Sequence, residues 1–289
     1  MLPVSEKSTT RYFEGKPNRC EECSALVDWW SFVLNLIQDG SLFGHAFLAI
    51  GAREQVETVN LKPGERKRIL FKQYGVPEDA RLLYAAYTPQ GQGVEPIVDL
   101  GRSPARHSIP SAVELFGAPP RFGDAPAECR VAIHFLWVPH GAGDETWQSL
   151  VEAFEAYGAG TYSAGVVSAH VAVEARLSRV INALFADVVA AGSVSRTKLK
   201  RFLSGAATYS HQLNVLLPTL VAARRLPQLP ADVRGHLNRL RKARNSVMHE
   251  GRPTRRLEAR DVAEMICAAL FGFRYLEWVA ALVDEQAEA

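Results

Sequence analysis

The stretch SAGVVSAHVAVEARLSRVINALFADVVA, residues 163–190, decides how the second half of the chain folds. Within it Val167, Val171, Glu174, Leu177, Ile181, Leu184 and Val188 recur at steps of three and four. That spacing puts them on one face of a helix. The stripe predicts a long helix with one carboxylate, Glu174, set among apolar neighbours. From Trp147 onward the period persists, and strand signals become sparse. Five helices are expected at about 146–157, 163–190, 195–222, 231–249 and 257–285, with a break near Gly205. Short connections between them imply antiparallel neighbours in a bundle.

Upstream the pattern changes. Val56–Leu61 and Arg66–Phe71 are two short runs separated by Lys62-Pro63-Gly64-Glu65, a turn signal, and they predict a hairpin. Arg81–Thr88 and Arg130–Val138 read as further strands, the second apolar enough for a central position. Ser24–Ile37 is ambiguous between strand and helix. Residues 101–128 hold Pro104, Pro110, Pro119, Pro120 and Pro126, which predict a long loop or a broken region. The expected fold class is therefore α+β in two domains. Residues 1–140 form a mostly β part, sandwich-like or mixed, with a possible sensing role, and 146–289 an all-α bundle.

The chain has 289 residues, 47% hydrophobic and 22% charged, which is the profile of a folded soluble protein with a sizeable core. No uncharged run approaches the roughly 20 residues that cross a bilayer, and the N-terminus lacks the apolar segment of a secretory signal. Four cysteines, Cys20, Cys23, Cys129 and Cys267, are too few for a disulfide framework, so a reducing cytoplasm is expected. Cys20-Glu21-Glu22-Cys23 has no second pair at zinc-ribbon spacing. His45, His107 and His134 form no spaced cluster, and His134 reads as a core histidine. No metal site and no cofactor are expected.

The net charge of +2 conceals an asymmetry. Residues 224–260 hold 11 basic and 3 acidic residues. That concentration fits a solvated helix face or an anion-binding surface. In the helix expected there, Val233, Leu237, Leu240, Arg244 and Val247 share one face. Arg244 then either snorkels to water or points into a cleft, where the inward Glu174 is its natural partner, because either charge buried alone is expensive.

The helix ends Arg244-Asn245-Ser246-Val247-Met248-His249-Glu250-Gly251-Arg252-Pro253. An Arg, a polar residue beside it and a His five positions on, at the end of a bundle helix, resemble the motif of the HEPN family. The resemblance covers roughly 146–289. Arg102 and His107 have the same spacing, but they lie in the Pro-rich stretch without a polar amide after the Arg. Glu174 matches, more loosely, a position where many HEPN domains carry an acid. Arg244 and His249 stand roughly 140° apart on an ideal helix. They converge if the last turn unwinds, or where two copies of the motif meet.

The resemblance implies an endoribonuclease that needs no metal, in which the RNA 2′-OH attacks the adjacent phosphorus to leave a 2′,3′-cyclic phosphate. It implies Arg244, Asn245, His249 and Glu174 as site residues, and a homodimer through the helical half. A toxin or anti-phage defence setting is also implied, with a possible antitoxin or defence partner and no membrane. Arg239, Arg241, Lys242 and Arg252 are the expected RNA-backbone contacts. The alternative is a HEPN-like bundle without catalysis that binds RNA or nucleotides, or dimerises.

Overall fold

The computed structural model describes residues 5–39, 43–77, 80–90, 96–99, 112–117, 129–138, 145–185, 192, 195–205, 207–250 and 257–288. The fold is mixed α+β. By contacts the chain divides into two units: Met1–Ile50 with Glu145–Ala289, and Gly51–Asp144.

The helical unit begins with α1 (Glu6–Phe13), whose N-terminus is capped by Ser5. A short hairpin follows, β1 (Asn18–Arg19) antiparallel to β2 (Leu26–Val27). α2 (Trp29–Gln38) is capped by the Asp28 side chain and resolves the ambiguous stretch as helix. A 3₁₀ segment, Phe43–Ile50, ends this part. Sequence period alone assigned residues 1–50 to the β part; they belong to the helical unit. The reason is aromatic packing. Phe13 meets Phe271, Tyr275 and Trp278 with ring centroids 5.5–6.2 Å apart, and Phe47 meets Phe154 at 4.4 Å.

In the sheet unit, β3 (Arg53–Leu61), β5 (Arg81–Gln90) and β8 (Cys129–Val138) form one antiparallel sheet with β8 central, as its apolar sequence predicts. β4 (Arg66–Leu70), β6 (Pro96–Asp99) and β7 (Ala112–Gly117) form a second with β7 central. The core draws on both sheets, from Val59, Leu61, Val131, Ile133 and Phe135 to Ile69 and Leu115, as in a sandwich.

The hairpin expectation fails here. β3 and β4 do not pair as a hairpin; their turn carries the chain from one sheet to the other. Gly64 N–H donates to the Gly117 carbonyl, and Gly117 N–H to the Glu65 carbonyl, so β7 takes the place of a hairpin partner. A Cβ on Gly117 would collide with the Lys62 carbonyl oxygen, which makes glycine obligatory at this crossing. The Pro-rich stretch, expected as a loop or a broken region, carries β7. His134 is only partly buried, with Nε2 2.6 Å from Glu54 Oε1 on the neighbouring strand.

From residue 145 the unit is helical: α3 (Glu145–Gly158), α4 (Tyr162–Leu184), α5 (Arg196–Gly205), α6 (Tyr209–His211), a π-helical turn (Gln212–Leu216), α7 (Leu217–Ala223), α8 (Ala231–Glu250) and α9 (Ala259–Glu288). The third expected helix does break after Gly205. α9 is long and apolar enough to cross a membrane by composition, but 67% of its apolar window is buried within the unit. Its Val262, Ile266, Leu270, Phe273 and Val279 are core. Gly272 lets Leu237 of α8 approach; an added Cβ would stand 2.9 Å from Leu237 Cδ1. Arg176 of α4 lies 4.7 Å over the Phe273 ring, and its Nη2 donates to Thr146 and Glu277, tying α3, α4 and α9 together.

The buried face of α4 is displaced from the predicted stripe. Leu177, Ile181 and Leu184 are core, but Val167 is half-buried and Val171 is 41% exposed. Val166, Ala169, His170 and Val173 are buried in their place. Val188 lies outside the described residues.

Candidate functional site

α8 positions the motif. Its Val233, Leu237 and Leu240 are fully buried and set the rotation of the helix. One turn later on the same face comes Arg244, half-buried as the stripe predicts. Arg244 Nη1 donates to the Asn245 side-chain oxygen at 3.1 Å. Its Nε, like that of Arg241, is buried without a hydrogen-bond partner.

α4 runs antiparallel to α8. Arg224, just ahead of α8, donates to the Leu184 carbonyl at the end of α4, whereas further along α8 the Arg244 charge acts on Glu174. The His170 imidazole, 3.4 Å away, holds the Glu174 carboxyl below the ordinary carboxylate value. Burial opposes that shift, while the charges of His170 and Arg244 reinforce it. The expected Glu174–Arg244 ion pair is not formed; the Arg244 charge only adds to the lowering of the Glu174 pKa.

The sequence did not disclose His170. It lies one turn before Glu174 on α4 and is 2% exposed, with Nδ1 3.4 Å from Glu174 Oε2. The Tyr209 ring of α6 packs on it with centroids 4.5 Å apart. Tyr209 is held by its surroundings. Thr208 caps α6, and Gln212, opening the π turn, donates to the Ala207 carbonyl and accepts from Ser178 of α4. Burial and the Glu174 charge push the Tyr209 phenol up, and Arg241 pulls it down. Its hydroxyl has no hydrogen-bond partner. The i, i+4 spacing of His170 and Glu174 was the available signal, but Tyr209 comes from a separate helix and had none.

The arrangement can hold an anion. Two guanidinium groups, Arg241 and Arg244, and a buried phenol converge from α6 and α8, against the single carboxylate of Glu174 and the imidazole of His170. Guanidinium groups suit phosphate oxygens through paired N–H donors.

The other expected residues divide. His249 is exposed, in the last turn of α8. The helix is continuous through Glu250, so the last turn does not unwind, and His249 stays about 140° around and about 7.5 Å along from Arg244. Lys242 is exposed. Arg239, an expected RNA contact, is half-exposed with its guanidinium bracketed by Asp261 and Glu264 of α9, each at 2.9 Å. It clamps α8 to α9 beside His236, which stacks on Trp30 at 5.2 Å. Arg252 lies outside the described residues, as do Gly251, Pro253 and the Arg102–His107 pair.

No protein-family model, no curated protein and no solved structure matches the chain.

Proposed function

We propose that the chain is an endoribonuclease of the HEPN type, with catalysis carried by Arg244, Asn245 and His249 and no requirement for a metal. The observation that carries this reading is the state of Arg244: half-buried, fixed by Asn245, within reach of the Glu174 charge, and with its Nε uncommitted.

In this reading the 2′-OH of RNA attacks the neighbouring phosphorus and expels the 5′-oxygen. Arg244 holds the non-bridging oxygens and stabilises the charge that develops on them. Asn245 orients Arg244 and contacts the phosphate or sugar. Glu174 keeps Arg244 aligned without neutralising it fully, since the carboxylate is half-exposed. An imidazole exchanges protons near neutral pH, and His249 takes the proton of the attacking hydroxyl or gives one to the leaving oxygen. Lys242 and Arg241 contribute backbone contacts.

A second copy completes the site. Within one chain Arg244 and His249 lie on different faces of a continuous helix. Met248, between them, is 55% exposed. A two-fold pairing of this edge buries Met248 and brings one chain's His249 toward the other chain's Arg244. The proposal places the protein in the cytoplasm, in a toxin or defence setting, with the sheet unit as its sensing part.

The test is incubation of the chain with end-labelled RNA in EDTA. Cleavage leaving 2′,3′-cyclic phosphate ends, lost in Arg244→Ala and in His249→Ala, supports the reading. RNA binding without cleavage in the wild type replaces it with a catalytically silent binding module.

A further inference from the structure

Cys20 and Cys23 take no part in the site above. The hairpin that carries them hangs from α1: Asn18 Nδ2 donates to the Ser8 carbonyl at 3.0 Å, and Arg11 donates to the Pro17 carbonyl at 2.9 Å. Cys20 N–H donates to the Ala25 carbonyl, and Ser24 N–H to the Cys20 carbonyl at 2.8 Å, closing the loop on itself. Ser24 adopts φ 56°, a left-handed conformation unusual for a non-glycine residue, which turns the chain back toward β2. Arg19 Nη1 donates to the Ser24 carbonyl at 3.0 Å and braces that turn.

The turn sets Cys20 and Cys23 three residues apart in one closed loop. The backbone of Cys23 and Glu22 and the Cys23 thiol hold the Cys20 thiol below its ordinary pKa. Hydrogen bonds to the charged form favour it. Both cysteines are free; Cys20 is partly exposed and Cys23 exposed. Cys267 is the counterexample in the same unit, fully buried, its thiol pushed up by burial. Reactive thiols are exposed and stabilised as thiolates, and inert ones are buried.

Among the described residues, no third His, Cys, Asp or Glu ligand atom joins these two sulfurs in a metal-type group. Two chain donors leave a tetrahedral cation half served, whereas dithiol chemistry needs two sulfurs and no more.

We propose that Cys20 and Cys23 form a redox-active dithiol that is oxidised by low-molecular-weight disulfides. The Cys20 thiolate attacks one sulfur of the disulfide RSSR, forming a mixed disulfide and releasing RS⁻, which takes up the proton Cys20 gave away. Cys23 then gives up its proton, attacks the Cys20 sulfur and expels the second RS⁻, which leaves as RSH. Two protein S–H bonds become one S–S bond, and one RSSR is reduced to two RSH. Glu21 and Glu22 lie between the two cysteines, so an uncharged disulfide is the fitting substrate class. A reduced-to-oxidised change here acts on the hairpin tied to α1.

The experiment treats the full chain with 2-hydroxyethyl disulfide and follows it by intact mass and peptide mapping. The wild type is expected to lose two hydrogen atoms, with the new bond between Cys20 and Cys23, and a dithiol reductant restores it. Cys23→Ser is expected to stop at the mixed disulfide on Cys20. Cys20→Ser is expected to react several-fold more slowly at Cys23. Equal rates in the two variants, modification at Cys129 or Cys267 in preference, or stable mixed disulfides on both hairpin cysteines would overturn the proposal. So would a wild type that reacts only after a chelator strips bound metal, since the pair is then a metal clamp. The readout involves no RNA, so its failure is separate from failure of the nuclease reading.

Discussion

Arg239 and Arg244 sit five residues apart on one helix and differ in almost everything that matters. Arg239 is more than half spent: two carboxylates of α9 take its guanidinium, and His236 lies 3.1 Å from its Nη1. Arg244 faces α4 with an amide, a buried Nε and one carboxylate that only half screens it. The excess of basic residues over 224–260 is therefore not one surface. Part of it is internal wiring between helices, and part is held open. A local charge count locates a basic segment but not its free cations.

The widest separation expected between the two is in catalysis. Arg244→Ala should cut RNA cleavage about 10²–10³-fold, as loss of a donor to a developing oxyanion does, while Arg239→Ala leaves the rate within a few fold. Equal losses from both would erase the difference between them, and rates from purified proteins matched for fold by circular dichroism decide it. His249→Ala should match Arg244→Ala. Mixing the two inactive variants should then restore a fraction of the activity if one chain's His serves the other chain's Arg. No recovery, in mixtures shown to exchange subunits, means that each motif must be whole.

Stability should rank the same two arginines in reverse. Arg239→Ala loses two ion pairs that join α8 to α9; with the side chain 46% exposed, the cost is about 1 kcal/mol. Urea midpoints of the two variants measure it, and a larger drop for Arg244→Ala would place that residue in the core.

A smaller effect is expected at Lys242. Lys242→Glu should reduce the slope of log affinity against log salt on single-stranded RNA by about 0.7 for each phosphate no longer neutralised. Arg239→Glu should leave the slope nearly unchanged, although it disturbs α9. The smallest effect concerns acid. The Glu174 carboxyl is held below its unperturbed 4.5 in the folded chain. It therefore contributes stability that is present above about pH 4.5 and is lost as pH falls through its lower folded value. Glu174→Gln should flatten that acid-side loss and leave neutral stability little changed. A steeper loss in the variant would reverse the sign of the interaction with His170 and Arg244.

Much of the helical unit was legible because amphipathic period is a local property. The helices from Glu145 to Glu288 follow it closely, including the break after Gly205. The positions of the motif residues on α8 were legible for the same reason, whereas the partners of Arg244 and Glu174, Asn245 and His170, were not. Residues 1–50 were not, since the partners of Phe13 and Phe47 lie more than a hundred positions away. The β3–β4 hairpin failed on similar grounds. The Pro-Gly turn is equally good for a return within one sheet and for a crossing between two, and β7, distant in sequence, settled which.

Spacing along the chain was enough to locate the helices and to place an Arg, an Asn and a His at the end of α8, but not to fix the buried face of α4. These are properties of side chains a few positions apart. What surrounds each charge was settled by packing alone. Packing set His170 and Tyr209 around Glu174, committed Arg239 to α9, and kept the last turn of α8 helical so that Arg244 and His249 face apart. Those outcomes depend on burial and on partners drawn from other helices, and no local stretch of residues encodes the distance between two helices.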